Sequence, residues 1–390
     1  MTRIVVIGGG IAGSATALAL HKAGFDVSVH EAHPNSAEDI GAFLTLASNG
    51  MRAVAQLDAS DAVTGIGFPL SSMRLLDDRG TEVAQAPMGE AGDALLQYRC
   101  LRRGELNAAL QGEVVRRGIE VRHGARLVSV ADGPDEVTAR FADGSAATGD
   151  LLIGADGLSS TVRRSLAPGA EPAYAGQCVF YGYTRNAPVA EDTGHITMVR
   201  NSVGTFGYAV SPDEETYWFA RVAGEAIPAG EVAHPTPSRW RAQLLDVLRK
   251  DASPAAEIVA ASTDAIMATN ATELPPGTRW RSGRTLLIGD AAHAASPATG
   301  QGASMALEDA VILAKSLRDA PDSDGAFALY EACRRPRVEH NITVSGQISR
   351  GTRNPARTGQ APSSQRPGDD TLVSQLAWDV DLRTVCDGVG

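Results

Sequence analysis

The chain has 390 residues, of which 43% are hydrophobic, as is ordinary for a globular protein with one large core or two smaller ones. Its formal net charge of −11 comes from acidic residues scattered along the chain, so nucleic acid and anionic membranes are not expected as partners. Its apolar stretches are shorter than the ~18 residues that cross a bilayer, and the amino terminus has no signal-peptide pattern. We therefore expect a cytoplasmic protein without a membrane span.

The four cysteines are widely separated in the sequence. They form no CxxC pair and have no histidine at metal-ligand spacing, which argues against a zinc site and against a disulfide framework. We expect no bound metal and four free thiols, which are Cys100, Cys178, Cys333 and Cys386.

The hydrophobic pattern switches several times between two kinds of segment. Buried-strand and helical patterns, typical of a parallel sheet covered by helices, are interrupted by an alternating, aromatic-rich stretch at residues 174–223. In chain order we predict strand 4–7, helix 12–23, strand 27–31, helix 103–117, strands 121–130, 137–141 and 151–153, helix 238–250, strand 285–288, and helices 303–317 and 326–348. The chain is therefore expected to cross between two domains several times.

The first predicted strand and helix are joined by GGGIAG, in which Gly8, Gly10 and Gly13 have the GxGxxG spacing. Gly8 permits a tight turn, Gly10 lets the backbone approach a pyrophosphate, and Gly13 lets the helix and strand pack closely. The amino terminus of the helix then faces the phosphates with the positive end of its dipole. Glu31, which ends the second strand, is placed to bind ribose hydroxyls and would repel a 2′-phosphate, which favours FAD or NAD over NADP.

Two further motifs follow predicted strands. The second, GADGLSSTVR at residues 154–163, is also consistent with an Asp-Gly turn and a helix that Ser159 or Ser160 caps. The third, GDAAHAASPATGQGASMALEDA, begins at Gly289 and includes His293, which could be a catalytic base, although its alanine neighbours favour a packed structural histidine. The third motif also contains residues that end its strand or shape the loop before the next helix, namely Asp290, Pro297, Gly300 and Gly302.

The three motifs in this order resemble the class A flavoprotein monooxygenases, the FAD-dependent aromatic hydroxylases of the p-hydroxybenzoate hydroxylase type. The similarity extends from residue 2 to about residue 348. The segments IGAFLTLASNGMRAV, RGELNAAL and AWDVDL also resemble segments of that family. Each motif alone is weak, but the combination is specific.

The resemblance implies an α/β (α+β) fold in which a Rossmann-like FAD-binding domain is interleaved with a mainly antiparallel-sheet substrate domain. The expected FAD-binding domain comprises residues 1–70, 99–173 and 283–350, and the substrate domain comprises residues 71–98 and 174–282. Residues 351–390, rich in Pro, Ser, Gly and Arg at their start, are expected to form a flexible linker and a C-terminal segment.

The resemblance also implies which residues bind the cofactor. Gly8, Gly10, Gly13 and Glu31 would hold the adenosine and pyrophosphate. Arg103 would contact the FAD, and Asp156 would lie beside its phosphate and ribityl region. Asp290 would hydrogen-bond the ribityl chain, and Gly302 and Ala303 would face the flavin. The backbone of the loop containing Pro297, Gly300 and Gly302 would present N–H groups to the N1 and O2 edge of the flavin, as the expected catalytic element. No side chain is assigned as an acid or a base.

The activity implied is that of a monooxygenase, a hydroxylase or epoxidase. NADH or NADPH would reduce the flavin, O₂ would form a C4a-hydroperoxide, and one oxygen atom would pass to an aromatic or unsaturated small molecule. The sequence has no second GxGxxG between Gly157 and Leu286, so NAD(P)H is expected to bind transiently. The alternatives are another FAD oxidoreductase of this fold, such as a halogenase or prenyl reductase, and a non-catalytic flavin-binding redox module.

The substrate pocket is predicted only from the aromatic-rich segment. Aromatic residues on an alternating strand are more often core residues than ligand contacts, and the candidates are Tyr181, Tyr183, Arg200, Tyr208 and Tyr217. Many members of the family have Arg at the position of Tyr181, so we expect a neutral, largely apolar substrate. Other departures from the family pattern concern the loop geometry, and they are Phe43, Ser48, Ala303 and Ser304.

Overall fold

The structure is a computed structural model, and it describes residues 1–36, 41–90, 93–189, 192–201, 204–233, 236–262, 266–352 and 369–386. Its strands are β1 (Arg3–Ile7), β2 (Asp26–His30), β3 (Phe43–Leu46), β4 (Phe68–Leu70), β5 (Ser72–Leu76), β6 (Glu82–Pro87), β7 (Tyr98–Arg102), β8 (Glu120–Arg122), β9 (Leu127–Asp132), β10 (Val137–Phe141), β11 (Ala146–Gly149), β12 (Leu151–Gly154), β13 (Ala173–Thr184), β14 (His195–Asn201), β15 (Gly204–Val210), β16 (Thr216–Ala223), β17 (Met267–Glu273), β18 (Arg281–Ser282) and β19 (Thr285–Leu287). Its α-helices are α1 (Ile11–Lys22), α2 (Ser48–Gln56), α3 (Ser60–Thr64), α4 (Arg103–Arg116), α5 (Thr161–Leu166), α6 (Ala229–Ala233), α7 (Pro237–Leu248), α8 (Ala255–Ala261), α9 (Asp290–His293), α10 (Gly302–Asp319), α11 (Ser323–Ser349), α12 (Asp369–Leu376) and α13 (Arg383–Cys386).

A six-stranded sheet, in the order β18-β19-β12-β1-β2-β8, forms the centre of the nucleotide-binding part. Its neighbouring strands are parallel except for β18 and β19. The runs IVVI in β1 and LLIG in β12 are fully buried, as expected for strands covered on both faces. Because parallel strands end at one edge of a sheet, the loops after β1, β12 and β19 meet there. These loops carry the three glycine-rich motifs.

The second large sheet has the order β17-β13-β16-β15-β14-β5-β6, and its strand pairs are antiparallel except for β14 with β5. One face packs against α7 and α8 through a core that includes Phe180, Trp218 and Trp240. The opposite face packs against Phe43 of β3 and the strand β7. We call this side the aromatic face, and its residues are Ile196, Met198, Ala209, Tyr217, Phe219, Tyr181 and Tyr183.

The predicted α/β fold, with a mainly parallel sheet and a mainly antiparallel one, is confirmed. One predicted strand is wrong, because residues 121–130 form parts of β8 and β9 rather than a single strand. Gly124 lies between them with φ of +73°, a left-handed conformation that interrupts a strand. The domain boundaries stay a prediction. In the described ranges, no helix combines the length and the apolar character needed to span a membrane.

The C-terminal segment packs against the nucleotide-binding part. Leu372, Leu376 and Leu382 are buried in the same core as β1 and α10. Lys315 of α10 is fully buried, and its Nζ donates hydrogen bonds to carbonyls of the segment, at Gln375 and Ala377. Burial lowers the pKa of Lys315 to about 8. The predicted flexible linker falls largely on residues 353–368, which lie outside the described residues.

The expectation of four free thiols is wrong, because Cys333 and Cys386 form a disulfide. Cys333 lies on α11 and Cys386 ends α13, and their Cα atoms are 5.8 Å apart although 53 residues separate them in sequence. Sequence spacing could not reveal this pair, since it depends on how the C-terminal segment packs on α11. Cys100 and Cys178 are buried free thiols, as expected.

We predict that the disulfide stabilises the C-terminal segment. Closing a loop of this length contributes at most about 4 kcal/mol through the entropy of the unfolded chain. Cys333→Ser should therefore lower the Tm measured by differential scanning calorimetry and speed proteolysis near α12. Dithiothreitol should lower the Tm of the natural protein and leave that of the variant unchanged. A natural protein whose Tm does not respond to reduction would contradict the prediction.

Candidate active site

The loop between β1 and α1 is tightly packed at Gly8 and Gly13 but has free space beside Gly10. Gly8 has φ of +100°, and a Cβ there would overlap the carbonyl of Ala155, while a Cβ at Gly13 would overlap the carbonyl of Gly8. Both positions therefore require glycine for close packing. A Cβ at Gly10, the N-cap of α1, would meet no atom within 4 Å. The loop thus presents open space where the first helix begins.

The peptide of Gly9 is fixed from three sides. The carboxylate of Glu31 accepts hydrogen bonds from the N–H groups of Gly9 (2.5 Å) and His33 (2.6 Å). The Gly9 carbonyl accepts from Nε2 of Gln111 (2.5 Å) and Oγ of Ser14 (3.0 Å). Nothing in the sequence pattern pointed to Gln111, which reaches this loop from α4. Its side chain and Glu31 hold the first turn of α1 in place, with the N–H groups of that turn left unpaired within the helix.

In the second loop the side chain of Asp156 accepts hydrogen bonds from the start of α5. It accepts hydrogen bonds from Oγ of Ser160 and from the N–H groups of Thr161 (2.7 Å) and Val162 (3.1 Å), and Ser160 caps α5. The helix-cap interpretation of GADGLSSTVR therefore describes this segment, with Ser160 rather than Ser159 as the cap. Arg163 is fully buried and donates to the carbonyl of Ala291 (3.1 Å), which ties the second loop to the third.

The third loop begins with a sharp turn at Gly289, where φ is +55°. Asp290, the first residue of α9, is exposed and makes no side-chain hydrogen bond to any described residue. His293 is 5% exposed, and its Nε2 lies 2.5 Å from Oδ2 of Asp309. His293 is thus a packed residue, as its alanine neighbours indicated, and Asp290 is the side chain that remains available to a ligand.

A buried ion network anchors the start of α10. Burial raises the pKa of Asp309, but the neighbouring His293 and Arg334 outweigh it and hold that pKa below its usual range. Arg334, fully buried, donates to Asp309 (2.7 Å) and to Glu308 (2.5 Å). Asn49 of α2 donates to Oε1 of Glu308 and to the side-chain carbonyl of Gln301. The network therefore joins α2, α10 and α11 at the point where the third loop enters α10.

The segment Pro297–Thr299, a 3-10 turn, and the following Gly300 form the loop expected to face the flavin. Arg221 of the second sheet donates from Nη1 to the carbonyl of Ala298 (2.9 Å). Thr299 donates to Asn341 of α11 (2.8 Å). Gly300 has φ of +66°, which favours glycine, and a Cβ at Gly302 would meet no atom within 4 Å. Gly302 and Ala303 open α10, so their N–H groups, like those of the first turn of α1, have no acceptor within the helix.

The aromatic face lies against Phe43, whose ring centroid is 5.6 Å from that of Tyr217 and 6.2 Å from that of Tyr181. Tyr183 also packs in this cluster, with the guanidinium of Arg102 4.4 Å from its ring centroid. Arg102 pairs with Glu215 (2.7 Å), so its charge is compensated. Strand pairing arranges the face in three rows, Tyr183-Tyr217-Ala209-Ile196, Tyr181-Phe219-Gly207-Met198 and Val179-Arg221-Thr205-Arg200.

One predicted pocket residue is on the wrong side of the sheet. Tyr208 alternates with Ala209, so it faces α7 and α8, where its ring lies 6.4 Å from that of Phe206. Tyr208 therefore cannot line one pocket together with Tyr181, Tyr183 and Tyr217, as was expected. Arg200 is on the same side as Met198, at the exposed end of its row. Arg103, at the start of α4, is exposed beside Gly41, and it lies close enough to Tyr181 to influence the pKa of that phenol.

These features fit FAD. Two helices begin in open space, at Gly10 and Gly302, which suits a pyrophosphate at one helix and the electron-rich edge of a reduced flavin at the other. Asp290 offers an exposed carboxylate at the same edge of the parallel sheet. Asp290 would accept a hydrogen bond from a ribityl hydroxyl, and Glu31 would face the ribose, when FAD is bound.

Asp290→Ala is expected to weaken FAD binding by roughly 1–2 kcal/mol, because one hydrogen bond from a ribityl hydroxyl would be lost. Titration of the apoprotein with FAD, followed by the quenching of flavin fluorescence, measures the change. Asp61→Ala, which also removes a carboxylate from the first turn of a short helix, is the matched control. Equal FAD affinity in the natural protein and Asp290→Ala would show that Asp290 does not contact the cofactor.

Comparisons with known proteins identify the family of this chain. The profile of the family described as FAD binding domain matches residues 1–345. The chain is 32% identical over 350 residues to the aurachin C monooxygenase/isomerase of Stigmatella aurantiaca, with 88% of each chain covered. It is 32% identical over 337 residues to the 2-heptyl-3-hydroxy-4(1H)-quinolone synthase of Pseudomonas aeruginosa, with 86% of each covered. The crystal structure of Klebsiella pneumoniae HpxO with FAD and uric acid superimposes with a TM-score of 0.80 at 26% identity, over 97% of this chain and 96% of that chain. The chain therefore belongs to the FAD binding domain family and is a class A FAD-dependent monooxygenase.

Proposed function

We propose that this monooxygenase inserts one atom of O₂ into a planar, neutral aromatic or unsaturated molecule that lies against the aromatic face. The observation that carries the proposal is the contact between Arg221 and the carbonyl of Ala298. This hydrogen bond connects Arg221, which is next to Tyr181 and Phe219 on the aromatic face, to the loop that precedes α10. A ring stacked on this face would therefore lie beside the flavin.

When bound, FAD supplies the redox chemistry, with NADH or NADPH as the transient electron donor. The chain supplies position and a dry surface. Phe43, Tyr181 and Phe219 offer flat apolar contacts with few polar groups, which suits a planar ring. The N–H groups at the start of α10 would stabilise negative charge on the reduced flavin.

The name of one similar protein supports a quinolone-like ring as the substrate. The Pseudomonas aeruginosa relative is named a 2-heptyl-3-hydroxy-4(1H)-quinolone synthase, and the Stigmatella aurantiaca relative is named an aurachin C monooxygenase/isomerase. We propose a quinolone-like or similar fused aromatic substrate for this chain, hydroxylated or epoxidised on the ring. We also propose a cytoplasmic location, because NADH and NADPH are available there.

The proposal is tested with the purified FAD-bound protein in air. NADH and NADPH oxidation is followed with a panel of quinolones, phenols, indoles and polyenes, and products are analysed by mass spectrometry with isotopically labelled O₂. We expect a quinolone or related ring to stimulate oxidation and to gain one labelled oxygen atom. If every compound yields only hydrogen peroxide and unchanged substrate, the proposed substrate class is wrong.

Tyr181→Ala is expected to raise KM for the substrate severalfold, because one wall of the stacking surface is lost. Burial raises the pKa of Tyr181 to about 12, so the phenol stays neutral and offers a single hydrogen bond. Tyr181→Phe should therefore have a smaller effect on KM, and both variants should keep FAD affinity and Tm. Tyr208→Phe, on the opposite side of the sheet, is the control. A large loss of Tm in Tyr181→Ala would instead mark Tyr181 as a core residue.

A further inference from the structure

Arg221 is the charged residue on β16 that shares a side with Tyr217 and Phe219. It is 8% exposed, and its guanidinium carbon lies 5.6 Å from the centroid of the Phe219 ring. Its neighbours across the sheet are Val179 on β13 and Thr205 on β15. Arg221 therefore forms the polar end of an otherwise apolar surface.

The hydrogen-bond donors of Arg221 are poorly satisfied within the described part of the chain. Nη1 donates to Ala298, but Nε is buried and has no partner. No described carboxylate forms an ion pair with Arg221. The ionisable group that interacts with it is the phenol of Tyr181, which stays neutral because burial raises its pKa to about 12. The charge and at least one N–H are thus left without a counterpart.

Other buried arginines of this chain show how such a charge is usually accommodated. Arg99 donates to the carbonyls of Thr64, Ile66 and Gly67. Arg334 is paired with two carboxylates. A buried cation without such partners is unfavourable, because the hydration that it loses is not replaced. The environment of Arg221 is therefore incomplete until an acceptor arrives from outside the chain.

We propose that Arg221 is a specificity-determining residue that binds an acidic oxygen of the substrate, carried directly on the ring, in its ionised form. This inference rests on the proposed function, since it assumes that the substrate lies on the aromatic face. A ring hydroxyl or enol is neutral in water and so remains compatible with the apolar walls. In the site, the guanidinium stabilises the oxyanion, and the proton leaves to solvent. Arg103, which also acts on the phenol of Tyr181, adds a second positive charge to this region.

The hydrogen bond from Arg221 to Ala298 also bears on how the substrate is oriented. One guanidinium nitrogen is held by the loop that precedes α10, so the substrate oxygen would be positioned relative to that loop rather than only to the sheet. A planar guanidinium held in this way keeps a fixed direction for its remaining N–H groups. The acidic oxygen would therefore set which ring edge faces the flavin.

The test measures ligand binding rather than turnover. Isothermal titration calorimetry of the FAD-bound protein compares 4-nitrophenol, 4-nitrobenzoate and 4-nitroanisole, at a pH at which the phenol is mainly neutral in solution. We expect 4-nitrophenol to bind most tightly. Arg221→Met should weaken its binding at least about tenfold, as expected for a hydrogen bond to a charged group, and should leave 4-nitroanisole within about twofold. Arg221→Lys should recover part of the affinity.

The controls separate this inference from other roles. Arg74→Met removes the same charge from the opposite side of the sheet, where Arg74 pairs with Asp192, and it should not change the preference for 4-nitrophenol. If Arg221→Met weakens the phenol and the anisole equally, or lowers FAD occupancy instead, Arg221 only supports the loop and the inference fails. The same holds if Arg200→Gln rather than Arg221→Met abolishes the preference. Tightest binding of 4-nitrobenzoate would assign the site to carboxylates and also overturn it. None of these outcomes alters the test of oxygen insertion, which depends on product masses.

Discussion

The adjacent carboxylates Glu308 and Asp309 on α10 determine how the cofactor side of the molecule is arranged. Both are fully buried, and Asp309 accepts from the N–H of Gly289 (2.9 Å) as well as from Arg334. Glu308 is linked through Asn49 to Gln301, the N-cap of α10. A buried carboxylate is tolerated only when its charge and its hydrogen bonds are satisfied. Loss of one partner leaves a buried charge uncompensated, which destabilises the folded state. The turn at Gly289 and the start of α10 are therefore positioned together.

This constraint has a chemical consequence for the flavin loop. N–H groups at a helix start stabilise developing negative charge effectively only if they are already oriented, because reorientation would consume part of the gain. The ion network holds the start of α10. The loop before α10 is hydrogen-bonded to α11 through Thr299 and to the second sheet through Arg221. The loop thus takes its position from both sheets, which explains how a residue on β16 could influence the orientation of a substrate relative to the cofactor.

The features that could be predicted from the sequence are local ones. The three motifs follow strands, and parallel strands end at one edge, so the convergence of Gly8, Asp156 and Asp290 follows from pattern alone. Alternation along β15 places Tyr208 and Ala209 on opposite sides, but the pattern does not show which strands pair, so Tyr208 could not be separated from Tyr181 and Tyr217. Gln111 and Arg221 act through contacts across long sequence separations and have no motif. The Cys333–Cys386 disulfide depends on tertiary packing in the same way.

Two departures from the family pattern, Ser304 and Phe43, are connected through the packing of α2 against α10. Oγ of Ser304 accepts a hydrogen bond from the N–H of Ala47 (3.2 Å), and a Cβ at Gly50 would lie only 2.6 Å from that oxygen. A small residue at position 304 therefore lets α2 pack close to α10. The larger Asn that is usual in the family would require a greater distance between the two helices. Since β3 leads directly into α2, the same approach sets the position of Phe43, which is buried against Tyr217 on the aromatic face. The unusual residues on α10 and β3 thus act together on the shape of the substrate surface, and a change at position 304 would be transmitted to it through Ala47.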